Sequence, residues 1–409
     1  MSENITTKIL ETSFAKNDLN NPLSMPVYNT AAYEFATAEE MEAAFIGKSA
    51  FHTYTRISNP TVEFFEKRVQ QASGAMGVTA VSSGMAAISN VFMTLAFSGA
   101  NIVTTSHLFG NTFSILQFTL ANFGVEVRFC DLLNLDEVEK NIDENTALVF
   151  TEVITNPHLE VVDLKALSDL TRKKQVPLVV DTTVVPWCAF KSRDFGANIE
   201  VVSSTKYISG GATSIGGLIL DHGNFDWSHS KRLNVEAKKS GPMAFHAKLR
   251  GEIFRNFGAC MSPQTAYQQT LGLETIELRF NQAANTGLEL AQWLETLPEV
   301  TKVSHNSLES NPFYAISAMQ FGKVGTAMFT FELADKAACY AFMNKLKVIR
   351  RATNLFDNKS LIIHPLSTIY GTFSPEMKEK VGISDTLLRF STGLEHVDDL
   401  KADILQALR

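Results

Sequence analysis

The sequence predicts an α/β fold in which a mostly parallel, seven-stranded sheet is followed by a smaller α/β domain. Between residues 78 and 221, seven short apolar runs rich in β-branched residues alternate with helical patterns. This alternation is typical of buried parallel strands covered by helices. After Ser262-Pro263 the pattern changes to a long helical stretch followed by more widely spaced strands. We therefore expect an N-terminal arm over 1–60, a large domain over 61–260 and a smaller domain over 261–409.

The arm contains too many chain-breaking residues to form a core of its own. Asn20-Asn21-Pro22, Pro26 and Ser58-Asn59-Pro60 interrupt it, and such clusters mark turns and loops. We expect the arm to lie across other structure, such as a neighbouring subunit.

The strands and helices of the two domains follow from the hydrophobic period. The large domain is predicted to hold strands at 78–83, 101–106, 125–131, 147–153, 176–181, 199–205 and 216–221, with helices that include 85–97 and 162–174. The smaller domain is predicted to hold helices at 264–297 and 397–408 and strands at 300–306, 325–333, 360–365 and 387–392.

Composition excludes several classes of function. The 409 residues carry a formal net charge of −7 and no basic stripe, which argues against a nucleic-acid binder. No apolar run is long enough to span a membrane or to form a secretory signal. The four cysteines include no CxxC pair and the nine histidines include no HxxxH or HExxH pair. We expect a reduced, cytoplasmic protein without a metal site.

Open α/β sheets bind ligands beyond the carboxyl ends of their strands. The first strand is followed by Ser83-Gly84-Met85 at the start of a helix. Backbone N–H groups there can hold a phosphate, although a serine in this place is more often a plain helix cap. Another strand ends at Asp181, which could cap a helix, bind a metal or meet a cofactor.

The strand over 199–205 leads directly into Lys206, with glycines close behind. A lysine at a strand end in a cleft can be desolvated, which lowers its pKa and frees the amine for Schiff-base chemistry. The hydroxyls of Ser203 and Thr205 could hold a phosphate. Pyridoxal phosphate needs a lysine amine, anion donors and a carboxylate for its ring nitrogen. The strand ends offer all three, with Asp181 as the carboxylate.

Two segments resemble the Cys/Met-metabolism family of pyridoxal-phosphate enzymes: VVDTTVVP (179–186) and STKYISGGATSIGG (204–217). The family includes cystathionine synthases and lyases, methionine γ-lyase and homoserine-ester sulfhydrylases. Lys206 follows Asp181 by 25 residues, which is the family's spacing. The resemblance implies the type I, aspartate-aminotransferase-like fold of these enzymes.

The resemblance also implies roles for individual residues. Lys206 would bond to the cofactor aldehyde and move substrate protons, and Asp181 would pair with the pyridine nitrogen. The cofactor phosphate would contact Ser83, Gly84, Met85, Ser203 and Thr205. Asn156, in TEVITNP, would lie near the cofactor hydroxyl and the substrate. Arg389, in LLRFSTGLE, would bind the substrate carboxylate, although a lone arginine in a strand could equally form a structural ion pair.

The arm motif YTRISNPT (54–61) also matches the family. In family members its tyrosine and arginine reach the phosphate of the adjacent subunit. Tyr54 and Arg56 would have that role here, so the active unit would be at least a dimer and, as is common in the family, a tetramer built as a dimer of dimers.

Two positions depart from the family pattern. Phe109 stands where relatives have a cofactor-stacking tyrosine. Phenylalanine can still stack on the ring, but it lacks the hydroxyl that family lyases are thought to use as a proton donor. Phe356 stands where relatives usually have glycine, which would narrow the substrate pocket or reshape its loop.

Three features favour a sulfhydrylase within the family. Asn354, in TNLFD, is similar to the ANxGD motif of O-acetylhomoserine sulfhydrylases, the segment over 217–263 is long, and Phe109 weakens the lyase interpretation. The sequence thus predicts γ-replacement on O-acetyl-L-homoserine by sulfide or methanethiol. O-succinylhomoserine sulfhydrylase, cystathionine γ-synthase and methionine γ-lyase remain alternatives. A nicotinamide-dependent oxidoreductase is disfavoured because no GxGxxG follows an early strand, and a non-catalytic scaffold because Lys206, Asp181 and Arg389 are all present.

Overall fold

Two β-sheets organise the chain in a computed structural model that describes residues 4–14 and 20–409. The strands of the first sheet are β1 (Gly77–Val81), β2 (Asn101–Thr104), β3 (Glu126–Phe129), β4 (Thr146–Glu152), β5 (Leu178–Asp181), β6 (Ile199–Val202) and β7 (Gly217–Asp221). Those of the second sheet are β8 (Lys302–Ser304), β9 (Met328–Glu332), β10 (Arg350–Arg351), β11 (Leu361–Ile363) and β12 (Leu387–Ser391).

Helices surround both sheets. In chain order they are α1 (Ile5–Glu11), α2 (Ala38–Phe45), α3 (Pro60–Ser73), α4 (Gly84–Leu95), α5 (Gly110–Ser114), α6 (Leu135–Asn141), α7 (Leu164–Lys173), α8 (Asn234–Ser240), α9 (Ala244–Lys248), α10 (Phe254–Phe257), α11 (Pro263–Glu274), α12 (Ile276–Leu294), α13 (Tyr314–Phe321), α14 (Lys336–Lys345), α15 (Pro375–Val381) and α16 (Val397–Leu408). Short π-helical turns extend α5 over Ile115–Thr119 and α9 over Leu249–Ile253.

The first sheet has seven strands in the order β1-β7-β6-β5-β4-β2-β3. The pairings from β6 to β3 are parallel, but β7 is antiparallel to both of its neighbours. The expectation of a mostly parallel sheet is therefore corrected to a mixed sheet. A parallel return needs a crossover, usually a helix, and the chain between β6 and β7 contains only a 3₁₀ turn at Tyr207–Ser209. The strand consequently runs back beside β6.

Both faces of this sheet are covered by apolar side chains. In β7, Leu218 and Leu220 belong to the apolar cluster on one face and Ile219 to the cluster on the other. This alternation follows from the two-residue period of a strand. Because both faces are buried, the strand ends are the places where polar side chains gather.

The second sheet has the order β10-β11-β12-β9-β8 and its own apolar cluster. Its central strand β12 places Arg389 opposite Thr330 and Ile363. The helix predicted over 264–297 is two helices, because Thr275 separates α11 from α12. There the Gly272 carbonyl accepts a hydrogen bond from the Arg279 guanidinium at 2.5 Å, and this side-chain contact accompanies the break.

The first 60 residues contain the helices α1 and α2 besides irregular chain. Helix α1 packs on α3. Residues 1–3 and 15–19 of the predicted arm lie outside the described residues. In the part of the chain that the structure describes, no helix is both long and apolar enough to cross a membrane.

Candidate active site

A cleft with a cavity volume of about 290 Å³ opens where the ends of the first-sheet strands meet β12. Its walls include most of the residues expected at the site: Ser83, Gly84, Met85, Phe109, Asn156, Asp181, Ser203, Thr205, Lys206 and Arg389. Asn354 contacts Lys206, and its neighbours Thr353 and Leu355 line the cleft. The described lining does not include Tyr54 or Arg56.

Lys206 extends into the cleft from the turn that follows β6. Its Nζ donates a hydrogen bond to Asn354 Oδ1 at 2.8 Å. Burial, and then the nearby Arg389 charge, lower the pKa of Lys206 to about 8, although Asp181 acts in the opposite direction. A larger fraction of this amine is therefore neutral at physiological pH than for a solvated lysine.

Asp181 is the last residue of β5 and lies in the same cleft. Its Oδ1 accepts the backbone N–H of Thr183 at 2.9 Å. Burial raises the pKa of Asp181 to about 6, while the hydrogen bonds from Thr183 lower it. A buried carboxylate of this kind gains stability from a cation placed opposite it, such as a protonated ring nitrogen.

The start of α4 forms one wall of the cleft. Ser83 Oγ accepts the Ala86 N–H at 3.0 Å, so its side chain caps the helix. The N–H groups of Gly84 and Met85 lie in the first helical turn, where no intrahelical acceptor exists and the helix dipole favours anions. A Cβ on Gly84 would lie 2.6 Å from Ser203 Cβ, so only glycine allows these segments to approach.

Thr205 is the least available of the predicted phosphate ligands. Its hydroxyl donates to the Gly216 carbonyl at 3.2 Å and accepts the Gly216 N–H at 3.1 Å. The hydroxyl must therefore turn away from this carbonyl before it can donate to a phosphate.

Arg389 of β12 also lines the cleft and is 2% exposed. Its guanidinium donates to Asn156 Oδ1 at 3.1 Å and to the Asn354 carbonyl at 3.3 Å. Its Nε is buried and has no hydrogen-bond partner among the described residues. Burial lowers the pKa of Arg389 to about 9. No carboxylate of the described chain forms an ion pair with it, so an anionic ligand would supply the missing charge.

A family model described as Cys/Met metabolism PLP-dependent enzyme matches residues 6–409. The chain belongs to this family. It is therefore an enzyme whose cofactor is pyridoxal phosphate, as the strand-end residues predicted.

Two solved structures and one further relative support the same assignment. An O-acetylhomoserine sulfhydrylase of Wolinella succinogenes is 49% identical, with 87% of this chain and 99% of that chain covered and a TM-score of 0.79. A putative O-acetylhomoserine (thiol)-lyase of Campylobacter jejuni is 30% identical, with 99% and 100% covered and a TM-score of 0.92, and it contains N'-pyridoxyl-lysine-5'-monophosphate. An L-methionine gamma-lyase of Fusobacterium nucleatum is 34% identical, with 96% of this chain and 94% of that protein covered.

The residues of the cleft fit the family's cofactor. The cleft brings together a lysine of lowered pKa, a buried carboxyl and the start of a helix. Gly217 maintains the packing behind that helix, since a Cβ there would lie 2.0 Å from the Ser83 carbonyl oxygen. In the described chain, no group of three or more metal-ligating side chains is arranged to hold a metal ion.

The two departures from the family pattern have different surroundings. The Phe109 side chain lines the cleft, and its backbone N–H donates to Glu152 Oε1 at 2.7 Å. Phe356 is buried outside the described lining, and its ring stacks on Tyr207 at 4.2 Å. It has a φ of 53°, a conformation that suits glycine better. Phe356 thus affects the conformation of the loop rather than narrowing the cleft.

Sequence reasoning missed two buried side chains at the cleft: Glu152, which lines it, and Tyr370, which lies outside the described lining. Glu152 ends β4, so the strand-end rule that identified Asp181 could also have identified it. Burial, together with the charge of Asp181, raises the pKa of Glu152 to about 8. No local sequence pattern could have identified Tyr370, because its contact with Leu108 joins residues that are 262 positions apart.

Proposed function

We propose that the protein catalyses γ-replacement on O-acetyl-L-homoserine, with sulfide or methanethiol as the nucleophile. The products are homocysteine or methionine, plus acetate. The observation that supports this proposal best is the buried guanidinium of Arg389 in the same cleft as the Lys206 amine, because it forms no ion pair with any described residue. The relative of 49% identity from Wolinella succinogenes is an O-acetylhomoserine sulfhydrylase, which favours a transferase of this type.

Bound in the cleft, pyridoxal phosphate supplies an electron sink that stabilises negative charge on the substrate carbons. Arg389 binds the substrate α-carboxylate, and Asn156 holds the guanidinium in place through its 3.1 Å hydrogen bond. Lys206 Nζ takes the Cα proton as a general base, which its lowered pKa favours. The same amine then accepts the Cβ proton as acetate leaves Cγ, and it returns protons after the sulfur nucleophile has added to Cγ. The Asp181 carboxylate would stabilise the positive charge on the protonated ring nitrogen of the cofactor.

The charges of the cleft favour an acetyl over a succinyl ester. Lys206 and Arg389 are the cationic side chains in the described lining, and each already has a role. A succinyl group brings a second carboxylate, which would need another cation to offset its desolvation.

Phe109 favours replacement of a carboxylate leaving group over release of a thiol. A carboxylate is a much weaker base than a thiolate, so acetate leaves without a proton donor. Phe109 has no hydroxyl to protonate a departing thiolate. Methionine γ-lyase activity is the second candidate, because one relative of 34% identity has that activity in its name.

A substrate panel tests the proposal. The acetyl, succinyl and phospho esters of homoserine are each assayed with sulfide, methanethiol and cysteine, and methionine is assayed alone for α-ketobutyrate release. We expect acetate release that depends on sulfide or methanethiol, with kcat/KM for the succinyl ester lower by on the order of tenfold. Faster turnover of the succinyl ester, or methionine as the best substrate, would contradict the proposal.

A second measurement tests the role of Lys206. In Lys206→Ala we expect turnover to fall by about 10³-fold or more, since one residue bonds the cofactor and moves the protons. Lys302→Ala, which changes an exposed lysine with 70% side-chain exposure, is the control and should keep wild-type activity. Retained activity in Lys206→Ala would exclude this role.

A further inference from the structure

Two buried side chains hold the backbone on which Phe109 and Asn156 lie. One is Glu152, which is 6% exposed, and the other is Tyr370, which is 0% exposed. They come from different parts of the chain, since Glu152 ends β4 and Tyr370 lies between β11 and β12. Glu152 lines the cleft, whereas Tyr370 lies outside its described lining.

Glu152 binds the two segments through separate oxygens. Its Oε1 accepts the Phe109 N–H at 2.7 Å, and its Oε2 accepts the Asn156 N–H at 3.1 Å. One carboxyl group therefore fixes the distance between the start of α5 and the loop after β4. This strand end is a rigid base for such a contact, because Glu152 is paired with Asp181 of β5.

Tyr370 contacts the same two segments through their carbonyl groups. Its hydroxyl lies 3.1 Å from the Leu108 carbonyl oxygen and 3.4 Å from the Asn156 carbonyl oxygen. The ring also packs at the start of α5, where a Cβ on Gly110 would lie 3.8 Å from Tyr370 Cε1. The N–H groups of these segments thus meet Glu152, and their C=O groups meet Tyr370.

We propose that Glu152 and Tyr370 are positioning residues that together clamp Phe109 against the cofactor ring and Asn156 against the substrate. The inference rests on the proposed roles of Phe109 and Asn156. Neither clamp residue takes part in bond making. Their contribution is geometric, and a displacement of about 1 Å in a catalytic group can cost about 10²-fold in rate.

The clamp extends to the carboxylate-binding end of the cleft. Asn156 Oδ1 accepts a hydrogen bond from Arg389 Nη1 at 3.1 Å. A shift of the Asn156 backbone therefore changes the position of the guanidinium. Loss of the clamp should affect binding of the amino-acid substrate as well as binding of the cofactor.

Tyr370→Phe and Glu152→Gln test the inference. Tyr370→Phe removes one hydroxyl and keeps the ring, so we expect about a 3-fold rise in the Kd of pyridoxal phosphate for the apoenzyme. Glu152→Gln turns an NH₂ group towards one of the two backbone N–H donors, and we expect a rise of about tenfold. In both variants KM for the homoserine ester should rise more than kcat falls. Cofactor affinity is measured by absorbance titration of the apoenzyme, and KM by steady-state kinetics.

Asp403→Asn is the matched control. Asp403 is a buried carboxylate that accepts three backbone N–H groups, from Lys347, Val348 and Ile349, each at 2.9 Å. Its loss should lower the melting temperature and leave the cofactor Kd and KM at wild-type values. The inference is wrong if both clamp variants behave like this control. Tyr370→Phe decides alone if Glu152→Gln does not fold, and the cofactor titration decides independently of the identity of the substrate.

Discussion

Lys206 has neighbours that act on its charge in opposite directions. Burial and the Arg389 guanidinium destabilise the ammonium form, and the Asp181 carboxylate stabilises it. Because the first two effects together exceed the third, the pKa of Lys206 is lowered to about 8. The cleft therefore supplies a nucleophilic amine near neutral pH without a separate general base.

Capture of the cofactor by the apoenzyme should depend on pH in a defined direction. Only the neutral amine attacks an aldehyde, so the second-order rate constant for pyridoxal phosphate should fall about tenfold for each pH unit below 8 and level off above it. Asn354→Asp should move the midpoint to higher pH, since Asn354 Oδ1 lies 2.8 Å from Nζ and a carboxylate there stabilises the ammonium form. Stopped-flow absorbance measures this rate. A flat profile between pH 6 and 9, or a midpoint that falls in Asn354→Asp, would contradict this account. Asn285→Asp, which changes an exposed residue of α12, serves as the control.

Strand ends alone predicted some of the site residues, whereas others, such as Asn156 and Arg389, were implied only by the family resemblance. Asp181 ends β5, and Lys206 lies in the turn that follows β6. Because β5 and β6 are neighbours in the sheet, the strand-end rule brought the two residues together. The pairing of Lys206 with Asn354 joins residues that are 148 positions apart, and no local pattern encodes it. The same limit applies to Tyr370, whose role depends on how the segment before β12 folds over α5.

At the scale of elements, each of the seven predicted strands of the first sheet is present. Short apolar runs between breakers identify buried strands well, because a buried strand is apolar on both faces. The direction of β7 was not predictable in this way, since Gly217–Asp221 has the same apolar pattern in either direction. The break at Thr275 was also hidden, because the periodic pattern continues from α11 into α12.

The contact between β7 and α4 should determine both stability and cofactor binding. A Cβ on Gly217 would lie 2.0 Å from the Ser83 carbonyl oxygen and 2.9 Å from the Gly84 nitrogen. In Gly217→Ala the start of α4 must shift, so we expect a loss of about 1–3 kcal/mol in the free energy of unfolding. The cofactor Kd of the apoenzyme should rise about tenfold, because the phosphate would lose well-placed N–H donors.

Chemical denaturation and cofactor titration of the apoenzyme check this prediction. Gly251→Ala is the matched control, because a Cβ there would meet nothing within 4 Å, and its stability should stay within about 1 kcal/mol of wild type. Wild-type cofactor affinity in Gly217→Ala would show that the start of α4 does not hold the phosphate.

At the scale of the whole molecule, the cleft of one chain does not use the arm motif. Tyr54 and Arg56 are exposed, and the Arg56 guanidinium lies 5.5 Å from the Tyr54 ring centroid rather than in the described lining of the cleft. The arm also presents large apolar side chains to solvent: Leu23, Phe45, Ile46 and Phe51, which are 91%, 53%, 55% and 62% exposed. Exposed apolar surface of this kind is typical of a subunit interface. These observations support the prediction that the arm completes the cleft of a neighbouring subunit.

Complementation between two inactive variants tests that prediction. Arg56→Ala removes the proposed contact to the phosphate of the neighbouring subunit, and Lys206→Ala removes the amine of the subunit's own cleft. If the arm crosses to the neighbour, a mixed dimer has one site that lacks both residues and one site that has both. Co-expressed variants with different affinity tags, purified through both tags, should therefore show roughly half of the wild-type activity per dimer.

The alternative arrangement gives a different result. If Arg56 serves the cleft of its own chain, each site of the mixed dimer lacks one residue and the mixed dimer should be as inactive as either variant alone. Each variant expressed alone with both tags is the control, because it measures the activity that remains when every chain carries the same substitution. Recovery of activity only in the mixed dimer would show that the site is shared, because no rearrangement within one chain can restore a residue that has been removed.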